Sequence, residues 1–102
     1  MHRYVVVQVE RQNERTRKQK RTLCPKYNER FNFYVSEPYA TVDVCIFDDT
    51  MLLSDYFLGK VEIPVKNLVL DSSVEGWYAL QPLHHSGKAV GGEIFLKLYL
   101  HK

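Results

Sequence analysis

Alternation of apolar and polar residues in short segments is the feature that most constrains how this chain can fold. Residues 93–101 alternate isoleucine or leucine with other residue types, and residues 40–47 alternate in a similar way. Because successive side chains of a β-strand point to opposite faces of a sheet, a period of two predicts strands with one buried face. No segment keeps amphipathic helical spacing for more than about two turns. The chain is therefore predicted to be all-β.

Segments of this kind follow one another along the chain and are separated by turn residues. The predicted strands cover residues 4–10, 18–24, 30–35, 40–47, 57–65, 77–80 and 93–101. Phe31, Phe33 and Val35 are expected on the buried face of the third strand, and Trp77 is expected in the core. Residues 11–17 and 71–76 are expected to be loops, and residues 66–70 a short helical turn. Short strands with regular turn signals are typical of an antiparallel β-sandwich.

Charge is distributed unevenly, although the formal net charge is only +2. Residues 11–21 hold six cations and one acid, so this segment carries +5 and the rest of the chain −3. Such a segment indicates an anionic partner, for which an acidic protein is one candidate, or a solvated charged hairpin. Nucleic acid is not expected, since this segment lacks the interleaved aromatic residues of single-strand binders.

The loop over residues 48–59 carries aspartates near both ends and three large apolar residues, Met51, Leu52 and Leu53, at its tip. Loops usually expose polar residues to water, so an apolar tip indicates that a partner covers it. The alternative is that the tip folds down beside Phe57 and joins the core. Asp48, Asp49 and Asp55 also fit ordinary turn chemistry, for which aspartate is common.

With 102 residues, the chain is predicted to form one domain spanning residues 1–102. Cys24 and Cys45 follow no secretory signal, so we expect reduced thiols in a cytoplasmic protein. No apolar run reaches membrane-spanning length. The sequence shows no nucleophile with a base, no phosphate loop and no paired carboxylates, so we do not expect an enzyme.

Several segments together resemble the C2 domain family. Thr-Leu-Cys-Pro-Lys-Tyr-Asn-Glu-Arg-Phe-Asn-Phe at residues 22–33 resembles the Thr-Leu-Asn-Pro-x-Trp-Asn-Glu-x-Phe-x-Phe segment of that family. Residues 4–7 resemble the strand after the first calcium loop, and residues 42–48 with 57–59 resemble the frame of the third. Residues 77–80 and 92–96 resemble the final strands. The resemblance implies an antiparallel Greek-key β-sandwich of C2 type.

Two departures from the family pattern shape the expected function. The resemblance begins after the first calcium loop, so we expect the domain to be N-terminally short and to lack its first strand. The family places third-loop aspartates where this chain has Asp48, Thr50 and Tyr56. Only Asp48 remains as a residual calcium position, and calcium needs six to eight oxygen ligands. We therefore expect no cofactor and no tight calcium binding.

The resemblance and the charge pattern together predict a calcium-independent, peripheral membrane-targeting module. In several C2 domains a lysine-rich cluster near the strand that corresponds to residues 18–24 binds acidic phospholipids, and the resemblance implies the same role for Arg17, Lys18, Lys20 and Arg21. In C2 domains that insert into bilayers, apolar residues at the tip of the third loop enter the lipid, which implies a membrane contact for Met51, Leu52 and Leu53. The alternative is a scaffold C2 domain that binds a protein partner. An open sheet edge would also permit homo-oligomers formed by strand exchange.

Overall fold

The computed structural model describes residues 2–20, 27–49, 56–82 and 92–101. The strands are β1 (His2–Val9), β2 (Gln12–Arg15), β3 (Gln19–Lys20), β4 (Thr41–Asp48), β5 (Tyr56–Pro64), β6 (Ser72–Ala79) and β7 (Glu93–Leu100). A 3-10 turn over Val65–Asn67 follows β5. It overlaps the start of the short helical turn that was predicted over residues 66–70. The described part of the chain holds no helix long and apolar enough to cross a membrane. The predicted all-β class is confirmed.

The strands form two antiparallel sheets. The larger sheet has the order β2-β1-β4-β5, and β3 also pairs with β1. The smaller sheet pairs β6 with β7. In the larger sheet Val44 lies opposite Val7 on one side and Val61 on the other, which brings the apolar positions of three strands to one face. The predicted antiparallel β-sandwich is confirmed.

The core lies between the two sheets. Its buried centre comes from the inner face of the larger sheet and consists of Val5, Val44, Ile46, Val61 and Ile63. The smaller sheet contributes Tyr78, Ile94, Leu96 and Leu98, which pack against this centre. The remaining face of each sheet therefore points away from the core, and the two outer faces lie on opposite sides of the domain.

A β-bulge in β5 changes which side chains face outward near the end of the sandwich. Ile46 pairs with Gly59 and Phe47 pairs with Phe57, so Leu58 is an extra residue in the ladder. A bulge of this kind redirects the side chains that flank it. Leu58 packs against the core, whereas Phe57 contacts Phe47.

Two segments predicted as loops are strands. Residues 12–15 form β2 because residues 10 and 11 make a tight turn, in which Glu10 adopts a positive φ of 55°. Residues 72–76 belong to β6, which pairs along its whole length with β7. Cys45 is a free, half-buried thiol, and Cys24 lies outside the described residues.

The predicted strand over residues 30–35 was wrong. These residues belong to no strand, and Phe31 and Phe33 are half-buried while Val35 is exposed. Side chains from the β1–β2 hairpin hold the end of this segment instead. The Gln12 carboxamide accepts a hydrogen bond from the Tyr34 N–H at 2.7 Å and donates one to the Tyr34 carbonyl at 2.5 Å.

The expected burial of Trp77 was also wrong, because 67% of this residue is exposed. Trp77 lies opposite Phe95 in the β6–β7 ladder. The neighbouring pair, Tyr78 with Ile94, faces the core. Since side chains alternate along a strand, Trp77 and Phe95 must face outward.

Candidate functional site

Aromatic side chains cover one end of the outer face of the larger sheet, where β1 begins and β4 ends. Tyr4 and Phe47 are cross-strand neighbours, and their rings stack with centroids 5.5 Å apart and an interplanar angle of 17°. Phe57 meets Phe47 edge-on at 5.8 Å. Tyr4 is buried even though it lies on the outer face, so other side chains must cover it.

Two cations provide that cover. The guanidinium carbon of Arg15 lies 4.2 Å from the centroid of the Tyr4 ring, and the Lys18 ammonium lies 5.9 Å from it. A cation over an aromatic face is stabilised by the negative potential of the ring. The Tyr4 ring therefore holds positive charge in a defined place on this surface.

Thr16 fixes the chain between these two cations. Its N–H donates to the Val5 carbonyl at 2.9 Å, and its hydroxyl accepts from the Val5 N–H at 2.9 Å. Thr16 is itself buried. Thr16 therefore bonds to both backbone groups of Val5, which fixes the direction in which the chain leaves β2. Arg15, Arg17 and Lys18 flank this fixed residue.

Arg17 extends from this segment into solvent. Its backbone N–H donates to the Glu29 carboxylate at 2.7 Å, and its side chain is 85% exposed. The guanidinium Nε is 4.0 Å from the same carboxylate, which is a weak, solvent-screened contact. We call Arg15, Arg17 and Lys18 the basic surface.

An acid from the end of β4 limits the charge of the basic surface. The Lys18 ammonium is 2.8 Å from the Asp49 carboxylate, and both side chains are partly exposed. Asp49 therefore offsets part of the positive potential of the basic surface. The predicted apolar tip follows Asp49 in the sequence and lies outside the described residues.

Asp48, the residual calcium position, is buried against a cation. Its carboxylate oxygen Oδ1 lies 3.4 Å from Arg3 Nε, and only 4% of the Asp48 side chain is exposed. Tyr27 is close to this pair. Burial raises the pKa of the Tyr27 hydroxyl, the Arg3 charge lowers it and the Asp48 charge raises it further.

The residues described around Asp48 do not fit a calcium site. Arg3 already supplies positive charge where a calcium ion would compete for the carboxylate, and calcium requires several further oxygen ligands. Across the described ranges there is no group of three or more histidine, cysteine, aspartate or glutamate residues that could hold a metal ion.

The structure brings together some of the predicted site residues. Arg17 and Lys18 lie in the basic surface, and the backbone of Lys20 pairs with His2 in β3. Arg21 and the predicted loop tip, Met51, Leu52 and Leu53, lie outside the described residues. The sequence analysis missed Arg15 and Arg3. The turn before β2 lacks the Asn-Gly or Asp-Gly signal of a two-residue hairpin, so nothing marked Arg15 as a strand residue facing Tyr4.

Comparison with known proteins agrees with this architecture. The C2 domain family profile matches residues 1–80. A C2 and GRAM domain-containing protein of Arabidopsis thaliana is 34% identical over 99 residues, which is 93% of this chain. Ras GTPase-activating protein 2 of Homo sapiens is 31% identical over 88 residues, or 86% of this chain. This chain belongs to the C2 domain family.

A solved structure shows the same fold. It contains two calcium-bound C2 domains of Extended-Synaptotagmin 2 and superposes on this chain with a TM-score of 0.74 at 23% sequence identity. The match covers 94% of this chain and 34% of that structure. The chain spans only 10% of the length of both curated relatives described above. A C2 domain is a non-catalytic module for membrane or protein interaction, and this is the class that the fold and family define.

Proposed function

We propose that this C2 domain docks to anionic phospholipid membranes without calcium, as a cytoplasmic peripheral module. The observation that carries the proposal is the basic surface, in which Arg15 and Lys18 are held over Tyr4 while Arg17 extends into solvent. Lys20 and Arg21 follow after Gln19 in the sequence and extend the same run of charge.

The electrostatic attraction of such a surface is large enough to matter. A cation near an anionic leaflet contributes about 1 kcal/mol, and this attraction falls off within roughly a Debye length. Three cations at one end of the sheet thus supply about 3 kcal/mol, less the part that Asp49 offsets. Binding of this origin must weaken strongly as salt is added.

Calcium independence is supported by the Arg3–Asp48 pair. A carboxylate that is buried beside a guanidinium has its charge satisfied within the protein. Among the described residues at this end of the sandwich, Asp48 and Asp49 therefore each lie beside a cation already. We propose that the membrane contact is driven by side-chain cations in place of calcium.

The apolar residues Met51, Leu52 and Leu53 complete the proposed contact. Residues 49 and 56 flank their loop at the same end of the sandwich as Tyr4, because Phe47 and Phe57 pair there. Burial of each leucine in the acyl region would contribute about 1.5–3 kcal/mol. The basic surface would attract the leaflet, and the tip would then insert.

Vesicle co-sedimentation tests this proposal. The chain is mixed with vesicles of phosphatidylcholine alone or with phosphatidylserine, with calcium or with chelator, at low and at high salt. We expect binding only to anionic vesicles, lost at high salt and unchanged by calcium. Arg15→Ala/Arg17→Ala should weaken binding about tenfold or more, since two cations are removed. Lys66→Ala is the control, because Lys66 is an exposed cation in the 3-10 turn, away from the basic surface.

The Asp49→Asn variant provides a test in the opposite direction. Removing the Asp49 charge releases Lys18 and should strengthen binding to anionic vesicles by several-fold. Binding that requires calcium, or an equal loss in Lys66→Ala and Arg15→Ala/Arg17→Ala, would contradict the proposal. Absence of vesicle binding under every condition would retire it.

One observation favours a second function, binding of a protein strand at a sheet edge. Within the described strands, β6 and β7 pair with each other and form a sheet of only two. An edge with unpaired backbone groups can accept an added strand from a partner or from a second copy. Such a partner would slow hydrogen exchange of β7 amides, and its binding would not depend on anionic lipid.

A further inference from the structure

The outer face of the smaller sheet exposes an unusual amount of aromatic surface. Trp77 is 67% exposed, Tyr99 55% and Phe95 48%. Trp77 and Phe95 contact each other edge-on with centroids 5.5 Å apart. Trp77 lies in β6, and Phe95 and Tyr99 lie in β7, all at outward positions of the β6–β7 ladder. Exposed aromatic clusters of this kind mark interaction sites, and the proposed membrane contact, in the other sheet, does not use them.

The same face carries one acid and one base directly opposite each other. Glu75 pairs with Lys97 in the β6–β7 ladder. Neither residue forms an ion pair within 4.0 Å with another residue of the described ranges. The next pair along the ladder sets Ser73 opposite Tyr99, a small residue against a large one. We call Trp77, Phe95, Tyr99, Glu75 and Lys97 the aromatic face.

We propose that the aromatic face binds a second copy of this chain, face to face. The two-fold axis of this dimer would lie between the two copies, parallel to the strands and midway between β6 and β7. It would place each residue of one copy over its ladder partner in the other copy. Glu75 then lies over Lys97 of the second copy, and Lys97 over its Glu75. Because both contacts join opposite charges, the face is complementary to itself, as a two-fold interface must be.

The shapes on this face agree with the same arrangement. The axis places Tyr99 over Ser73 of the second copy, so a large side chain meets a small one at both related positions. Trp77 and Phe95 meet their counterparts near the centre, where aromatic contacts contribute most to binding. Aligned sheets that pack face to face are about 10 Å apart, which leaves room for these side chains.

A membrane is a poorer occupant of this face. Glu93 lies at the next outward position of the same ladder, opposite Ala79. Together with Glu75 it outnumbers Lys97, so this side of the sheet carries net negative charge and does not attract an anionic leaflet. The face is two strands wide and about 27 Å long. The area that it could bury is therefore smaller than that of a standard protein interface. We therefore expect a weak dimer, with a dissociation constant of roughly tens to hundreds of micromolar.

The test uses the whole chain, and Trp77 serves as the reporter because it is the sole tryptophan. Sedimentation velocity and tryptophan emission are recorded over a series of protein concentrations from low micromolar to several hundred micromolar. We expect the sedimentation coefficient to rise towards that of a dimer. Trp77 emission should shift to shorter wavelength over the same range, because the indole leaves water.

Charge variants locate the contact. Lys97→Glu places like charges in both symmetric contacts and should weaken dimerisation at least tenfold. The swapped variant Glu75→Lys/Lys97→Glu restores opposite charges and should recover it. Both residues are exposed, so circular dichroism should confirm an intact fold in each variant.

Four results would overturn the proposal. The first is a monomer at every concentration with constant Trp77 emission. The second is a dimer that Lys97→Glu does not weaken. The third is a dimer that forms without a shift in Trp77 emission and slows hydrogen exchange along β7, which would indicate edge pairing. A shift in emission caused by vesicles alone would assign the face to lipid and also refute a second copy as its occupant.

Discussion

At the scale of single residues, side chains of the β1–β2 hairpin replace missing backbone pairing. The Glu10 carboxylate accepts hydrogen bonds from the Ser36 hydroxyl at 2.6 Å and from the Ser36 N–H at 3.0 Å. Together with the Gln12 contacts to Tyr34, these bonds fix residues 34–36 to the hairpin. They also favour the ionised carboxylate. The Ser36 hydroxyl, followed by the Ser36 N–H, lowers the pKa of Glu10 below its ordinary value.

This contact makes a prediction about pH. Since the folded pKa of Glu10 is below the unfolded one, its stabilising effect is present above the unfolded pKa. The effect is lost as the pH falls through the folded pKa. Ser36→Ala removes the larger cause and should raise the Glu10 pKa towards its ordinary value. An NMR titration of side-chain carboxyl signals would measure this change, with Glu75 as the internal control. An unchanged Glu10 pKa would mean that the Ser36 hydroxyl does not hold the carboxylate.

At the scale of elements, β4 is the strand on which the fold depends most. It pairs with β1 on one side and with β5 on the other. Its residues Val44 and Ile46 lie in the centre of the core, and Asp48 at its end is buried against Arg3. One strand therefore links the hydrophobic centre to the end of the sandwich that carries the basic surface.

Truncation of β4 at its centre should be costly. Val44 is 2% exposed, so Val44→Ala removes two buried methyl groups and leaves a cavity. We expect a loss of about 2–3 kcal/mol in the free energy of unfolding. Urea denaturation should show a lower midpoint with an unchanged slope. Val74→Ala is the matched control, because Val74 is 43% exposed in β6. An equal loss in both variants would contradict the central role of β4.

At the scale of the whole molecule, backbone pairing between strands is unevenly distributed over the described residues. The larger sheet has continuous ladders between β1, β4 and β5. Residues 28–36 lie in no strand. Side chains of the β1–β2 hairpin hold residues 34 and 36 through hydrogen bonds. Local opening requires less free energy where backbone groups lack ladder partners.

Native-state hydrogen exchange should follow this gradient. We expect the amides of Val44 and Val61 to exchange last, close to the rate of global unfolding. The amides of Asn32 and Phe33 should exchange fastest among the described residues that precede β4. Equal protection over residues 30–35 and β4 would show that the segment is paired in solution, by a partner or by a second copy.

The sequence by itself determined the class and most of the strands of this protein. An apolar period of two is a local property, because it depends only on the alternation of side chains along an extended chain. The concentration of positive charge in residues 11–21 is also a local property, since it does not depend on how this segment folds. The segment at residues 22–33 was specific enough to indicate the C2 family.

Only the tertiary structure decided which faces are covered and which charges meet. Alternation shows that Trp77 and Tyr78 lie on opposite faces, but the packing of the other sheet partly buries Tyr78 and leaves Trp77 exposed. Arg15 reaches Tyr4 through the pairing of β2 with β1, and Asp48 meets Arg3 through the pairing of β4 with β1. These contacts join residues far apart in the chain. Their register is set by long-range strand pairing, which a local pattern does not contain.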